Sequence, residues 1–202
     1  MKLEFNSSDY QVSNIKAFSV LLGDIASNSM VMINEKLLCT LSFELREMLI
    51  LMQDYFGRIT SIDVLDTIQM EVKSGRICVY TEDNEIYNNI KEKISLLGEC
   101  NGLNKTEIVK LRCNGAGIED IMDLMAEYGK LENANTITFR DGSKAHCIKY
   151  SKLSLIVYMG IIYVVDFGFA GEQEQHRIVN LIKRDIHKRT GITCSVEEYS
   201  IR

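Results

Sequence analysis

The chain has 202 residues, 46% apolar and 25% charged, which is enough for one large domain or two small ones and too evenly apolar for intrinsic disorder. Its net charge of −5 disfavours generic binding to nucleic-acid backbones, where affinity comes from Lys and Arg displacing counterions. The absence of Pro excludes Pro-rich linkers and ligands, and the opening MKLEFNSSDYQ has no apolar stretch of the secretory kind.

In chain order, KLEF reads as a short strand, and residues 10–26 as an amphipathic helix with Val12, Ile15, Phe18, Leu22 and Ile25 at helical spacing. SMVMINE and KLLCTLS form a hairpin turning at Asn34-Glu35. A second helix follows, N-capped by Ser42 and stopped by Gly57. RITSIDV, TIQMEV and RICVYTE read as three strands, the last two joined through Gly75. Residues 83–98 form a helix capped by Asp83 or Asn84. The Asn- and Gly-bearing stretch 99–105 is the candidate linker.

The second half opens with the strand EIVKLRC, the corner NGAG and the helix IEDIMDLMAEYG. NTITFR and KAHCIKY flank Asp141-Gly142, a strong hairpin signal. Residues 153–165 are almost unbroken apolar sequence, shorter than the ~20 residues a helical bilayer span needs and rich in Ile and Val. They read as a buried hairpin turning near Met159-Gly160. A helix from Glu172 to Arg189 and the strand ITCSVEE close the chain. The predicted fold class is α+β, with two antiparallel-sheet modules, 1–98 and 106–202, each carrying packed helices. Each half places a hairpin before an amphipathic helix, so an internal repeat is an open reading.

The six cysteines, at 39, 78, 100, 113, 147 and 194, form no C-x-x-C pair. They read as reduced, buried thiols of a cytoplasmic protein without disulfides. Cys113 sits where a strand meets a helix N-terminus, a place that can activate a thiol, yet neither His146 nor any third residue completes a catalytic set. The corners NGAG and DFGFAG lack the phosphate-loop patterns. Their helices open with Glu119 and Asp120, and with Glu172 and Glu174, which already satisfy the positive helix ends. His146 and Cys147 are adjacent in a strand and face opposite ways, while His176 and His187 lie about three turns apart. No catalytic residue, metal, cofactor, small molecule or membrane is therefore expected.

The last helix carries an apolar stripe of Ile178, Leu181, Ile182 and Ile186. Lys183, Arg184, His187 and Lys188 form a basic face on its other side. That face is the candidate binding site, for an acidic protein surface or, less favoured by charge, for nucleic acid.

Two family resemblances accompany this reading. The order α-ββ-α-βββ-α, carried by VSNIKAFSVLLGDIA, MVMINEKLLC, FELREMLILMQDYFG and IQMEVKSGRICVYTEDNEIYNNIKEKI, resembles roadblock/dynein-light-chain and longin-like modules. That resemblance implies a non-enzymatic, dimerising platform for small GTPases. The second half, and SGRICVYTE in the first, are similar to TATA-binding-protein repeats, which implies nucleic-acid binding. The DNA-wedging phenylalanines of that family fall near Val72 and Val157 here. The expectation is a non-enzymatic protein-interaction or regulatory module, self-associating through a sheet edge or a helix face, with a transcription-type nucleic-acid binder or an unrecognised enzyme as alternatives.

Overall fold

The computed structural model describes residues 1–23, 25–26, 29–40, 50–51, 53, 58–99, 106–129 and 135–201, with the side chains of 37–40, 135 and 201 excepted. The fold is α+β with antiparallel strand pairing. The helix expected between Ser42 and Gly57 and the linker at 99–105 lie largely outside the described residues. The chain divides into two compact units, one of residues 1–103 with 137–143, the other of residues 104–136 with 144–202.

In the first unit, β1 (Lys2–Phe5) leads through a short 3-10 turn into α1 (Asn14–Leu22). Then come β2 (Met30–Ile33), β3 (Leu37–Thr40), β4 (Ser61–Val64), β5 (Ile68–Lys73), β6 (Arg76–Tyr80) and α2 (Asn84–Leu96). The strand order is β1-β6-β5-β4-β2-β3, and residues 138 and 139 of β8 (Asn135–Phe139) pair with β3. Strand alternation puts Phe5, Val31, Ile33, Ile62, Val64, Ile68, Met70, Ile77 and Val79 on one buried face. Ala17, Phe18, Leu21 and Leu22 of α1 and Ile90 of α2 are buried too. The other face is polar: Glu4 pairs with Lys2 (3.0 Å) and Arg76 (3.1 Å), and Lys73 pairs with Glu71. Cys78, opposite both Glu4 and Glu71, is buried beneath these side chains. Asp83 settles the cap of α2, accepting from the N–H groups of Glu85 (2.7 Å) and Ile86 (3.1 Å).

The second unit runs β7 (Thr106–Arg112), α3 (Ile118–Tyr128), β9 (Lys144–Tyr150), β10 (Leu153–Tyr158), β11 (Ile161–Asp166), α4 (Glu172–Thr190) and β12 (Ser195–Ile201). Its order is β9-β10-β11-β7-β12. Val109, Leu111, Leu153, Leu155, Val157, Ile162 and Val164 pack with Ile121, Leu124 and Met125 of α3 and Ile178, Val179, Ile182 and Ile186 of α4. On the opposite sheet face Ile108, Lys110, Cys147, Ser154, Ile156, Tyr163 and Val165 are buried as well. Two-sided burial explains why 153–165 reads as a continuous apolar run rather than an alternation. It also contains the buried cation that the sequence did not announce. Lys110 is 2% exposed, its Nζ lying 5.8 Å from the Tyr163 ring centroid and 3.7 Å from Glu197 Oε2.

The hairpin turns follow local chemistry. Ser74-Gly75 and Met159-Gly160 each take two consecutive positive-φ residues between directly paired strand ends, as tight antiparallel turns require. At Asp141-Gly142 the loop has three residues rather than two. The N–H of Phe139 donates to Ser143 O (2.9 Å), that of Gly142 donates to Phe139 O (2.9 Å), and Gly142 supplies a φ of 85°. Asp141 Oδ1 accepts from the N–H of Ser143 (2.9 Å) and fixes the loop from within.

The cysteine expectation needs correction. Cys113 and Cys194 are joined in a disulfide, with Cα atoms 4.4 Å apart. Cys113 follows β7 and Cys194 precedes β12, so the register Arg112↔Ser195 sets them directly opposite, at the spacing of a non-hydrogen-bonded antiparallel pair. Sequence separation of 81 residues hid a contact that strand pairing makes. Cys78 and Cys147 are buried and take part in no disulfide. The pair removes the ground on which six reduced thiols suggested a reducing compartment.

Candidate interaction face

Helix α4 is held over the sheet by Gln175, Ile178, Val179, Ile182 and Ile186. Val179 is therefore part of the apolar stripe, and Leu181, expected there, is only half-buried. Gln175 is 2% exposed, and its Nε2 donates to Glu107 O (2.9 Å) and Val164 O (2.8 Å), pinning the helix to the ends of β7 and β11. A buried amide at a stripe position went unnoticed in the sequence because helical spacing marks apolar side chains and not polar ones.

The loop before α4 turns its N–H groups onto one of the chain's own carboxylates. Asp166 is 2% exposed, and its Oδ1 accepts from the N–H groups of Gly168 (2.9 Å), Phe169 (2.8 Å) and Ala170 (3.0 Å). Its Oδ2 accepts from the N–H of Gly171 (2.7 Å). The backbone forms an anion cradle filled by the chain's own carboxylate. Burial pushes the Asp166 carboxyl up, but the four N–H donors outweigh it and hold the group below the usual carboxylate value. Glu172 and Glu174, the acids expected to fill this role, sit in the first turn, and Glu174 pairs instead with Arg177 (2.7 Å). The NGAG corner has lost its free thiol to the disulfide. His146 lies in β9 with Nδ1 3.4 Å from Thr136 Oγ1, and burial and then Lys144 lower its pKa.

The four residues expected to bind a partner lie together on the C-terminal half of α4. Arg184, His187 and Lys188 are exposed and Lys183 is half-buried. Arg184 Nε donates to the neighbouring Asp185 Oδ1 (3.0 Å). Asp185 Oδ2 in turn accepts from Tyr128 Oη (2.7 Å) of α3. The Tyr128 hydrogen bond holds the Asp185 carboxyl below its usual value, with Arg184 adding to it, against the effect of burial. Burial and then Asp185 push the Tyr128 phenol well up. Arg189 pairs with Glu127 of α3. Lys183, His187 and Lys188 form no ion pair among the described residues. The helix ends at Gly191, whose N–H donates to His187 O (2.8 Å), so Lys188 and Arg189, in its last turn, also face the negative end of the helix dipole.

Beside α4, α3 carries the opposite charge. Between Ile118 and Tyr128 it has Glu119, Asp120, Asp123 and Glu127, all exposed, and no Lys or Arg. Glu119 and Asp120 lie in its first turn, and Asp123 and Glu127 extend the charge along the helix.

Elsewhere, an open groove of about 970 Å³ on the first unit is lined by Met1, Lys2, Asp63, Asp66, Tyr80 and Glu82 among others. Burial, and then Asp66, raise the Asp63 pKa there. Among the described residues no group of three or more His, Cys, Asp or Glu is arranged to hold a metal ion, and no helix is long and apolar enough to cross a membrane. No protein-family model matches the chain, and no curated protein and no solved structure matches it.

Proposed function

We propose that the protein is a non-enzymatic interaction or regulatory module that docks an acidic protein surface on the basic face of α4. The observation carrying this reading is the row Lys183, Arg184, His187 and Lys188, of which Lys183, His187 and Lys188 form no ion pair among the described residues, on a 19-residue helix anchored from beneath. Polar groups that resemble chemistry elsewhere are consumed internally: Asp166 by its cradle, Cys113 by Cys194, Gln175 by two carbonyls. The resemblance to roadblock-type modules makes a small GTPase one partner of this kind. Of the two routes to association, sheet edge and helix face, charge favours the helix. The edge strand β12 presents Glu197 and Glu198, and acidic side chains facing each other across a new strand pair would repel.

Affinity purification of the full chain beside its Lys183→Glu/Arg184→Glu variant tests the reading. The wild type should retain a protein partner that the variant loses by tenfold or more, with retention falling as salt rises. Retained material absorbing near 260 nm would transfer the site to nucleic acid. Identical capture by both chains would show a merely solvated face.

A further inference from the structure

We infer that the partner of the α4 basic face is a second copy of this chain, whose acidic α3 face meets it across a two-fold axis. The inference deepens the reading above and rests on it. Helices α3 and α4 lie side by side on one face of the same sheet, joined by the Tyr128–Asp185 hydrogen bond and the Glu127–Arg189 ion pair. Those contacts use one acid of each helix and leave most of the charge outside. Glu119, Asp120 and Asp123 on α3, like Lys183, His187 and Lys188 on α4, form no ion pair among the described residues.

The helical layer thus carries an anionic stripe and a cationic stripe at one surface. A two-fold interface requires a patch complementary to itself, in which residue i meets j and j meets i. A patch with both signs, rotated by half a turn, places each α3 stripe on the partner's α4 stripe and forms the ion pairs twice. An arbitrary acidic partner would satisfy α4 and leave α3 facing like charge. A second copy satisfies both, even though each chain carries a net charge of −5. Charges at such a surface interact over roughly 10 Å at 0.1 M salt, so the association should respond to ionic strength.

Sedimentation equilibrium of the full chain, at low and high salt, reads the mass directly. The expected result is a concentration-dependent dimer whose dissociation constant rises at least tenfold with salt. Arg184→Glu with Lys188→Glu in one chain, and Glu119→Lys with Asp123→Lys in another, should each give monomers, because like stripes then meet. Mixing the two variants should restore a dimer containing one of each. If a charge-reversed chain loses the wild-type melting temperature, the corresponding Gln pair tests the same loss of mass. A monomer at every concentration in low salt, dimers in both reversed chains, or a mixture that stays monomeric would each overturn the inference. If the chain is monomeric while the α4 reversal still releases a captured protein, the inference fails and the docking reading stands. If the reversal releases nothing and a dimer forms that ignores both stripes, both fail.

Discussion

At Asp166 a single carboxylate organises the passage from sheet to helix. It is nearly inaccessible, yet it stays charged because four N–H groups converge on it. Asp166→Asn should keep Oδ1 as an acceptor and set an amide NH₂ against the N–H of Gly171, costing about 2 kcal/mol in urea unfolding at neutral pH. The pH dependence follows from the lowered folded-state pKa. The unfolded carboxyl titrates near the ordinary 3.8, so its stabilisation is complete above that value and is lost as pH falls through the lower folded-state value. The gap between wild type and Asn variant should therefore hold from neutral pH to about 4 and close below it. A gap that persists undiminished in strong acid would mean the carboxylate charge is not what the cradle recognises. The sequence carried this signal, since an Asp with glycines two and five residues on is a side chain placed to bond its own downstream backbone.

Elements, more than residues, were legible. The four described helices and the hairpins came through because each rests on local rules: a periodic apolar stripe, an oxygen-bearing cap, a glycine where φ must be positive. What depends on a neighbour distant in sequence did not come through. Lys110 in EIVKLRC looks like an outward polar residue of a one-sided strand, and only its surroundings show that both faces are covered. Gln175 is the corresponding case on a helix. Its amide bridges Glu107 O and Val164 O, so Gln175→Ala leaves two strand-end carbonyls without that donor and opens a small void beneath α4. A loss of about 1–3 kcal/mol is expected. Gln175→Glu should do worse, by turning carboxylate oxygens toward those carbonyls. Hydrogen exchange should show α4 amides opening more readily in both variants. Unchanged exchange would mean the helix is held by its apolar stripe alone. The basic face was legible because four basic residues at helical spacing stand out in an acidic chain, whereas the acidic face of α3 was hidden by its ordinary role as helix-opening charge.

Across the whole molecule, the two units share a pairing scheme: β1 pairs with β6, the strand before α2, and β7 pairs with β11, the strand before α4. They differ in that β7 has a further strand on its other side, and that strand is fastened covalently. The Cys113–Cys194 bond joins residues 81 apart in sequence and locks β12 to β7 at the point where α4 returns to the sheet. Cross-linking stabilises chiefly by restricting the unfolded chain, and such bonds typically contribute about 2–4 kcal/mol. For a unit of about 100 residues that corresponds to roughly 10 °C or more in melting temperature. Thermal unfolding of the wild type with a phosphine reductant present throughout should fall to the melting temperature of a Cys113→Ala/Cys194→Ala chain, which itself should not respond to reductant. Because both sulfurs are buried, the shift should develop only as the unit opens, and brief exposure to reductant in the native state should leave the bond intact. A wild-type melt indifferent to reductant would show that strand pairing and the α4 stripe hold β12 without it, and the two cysteines would then be packing partners and not a staple.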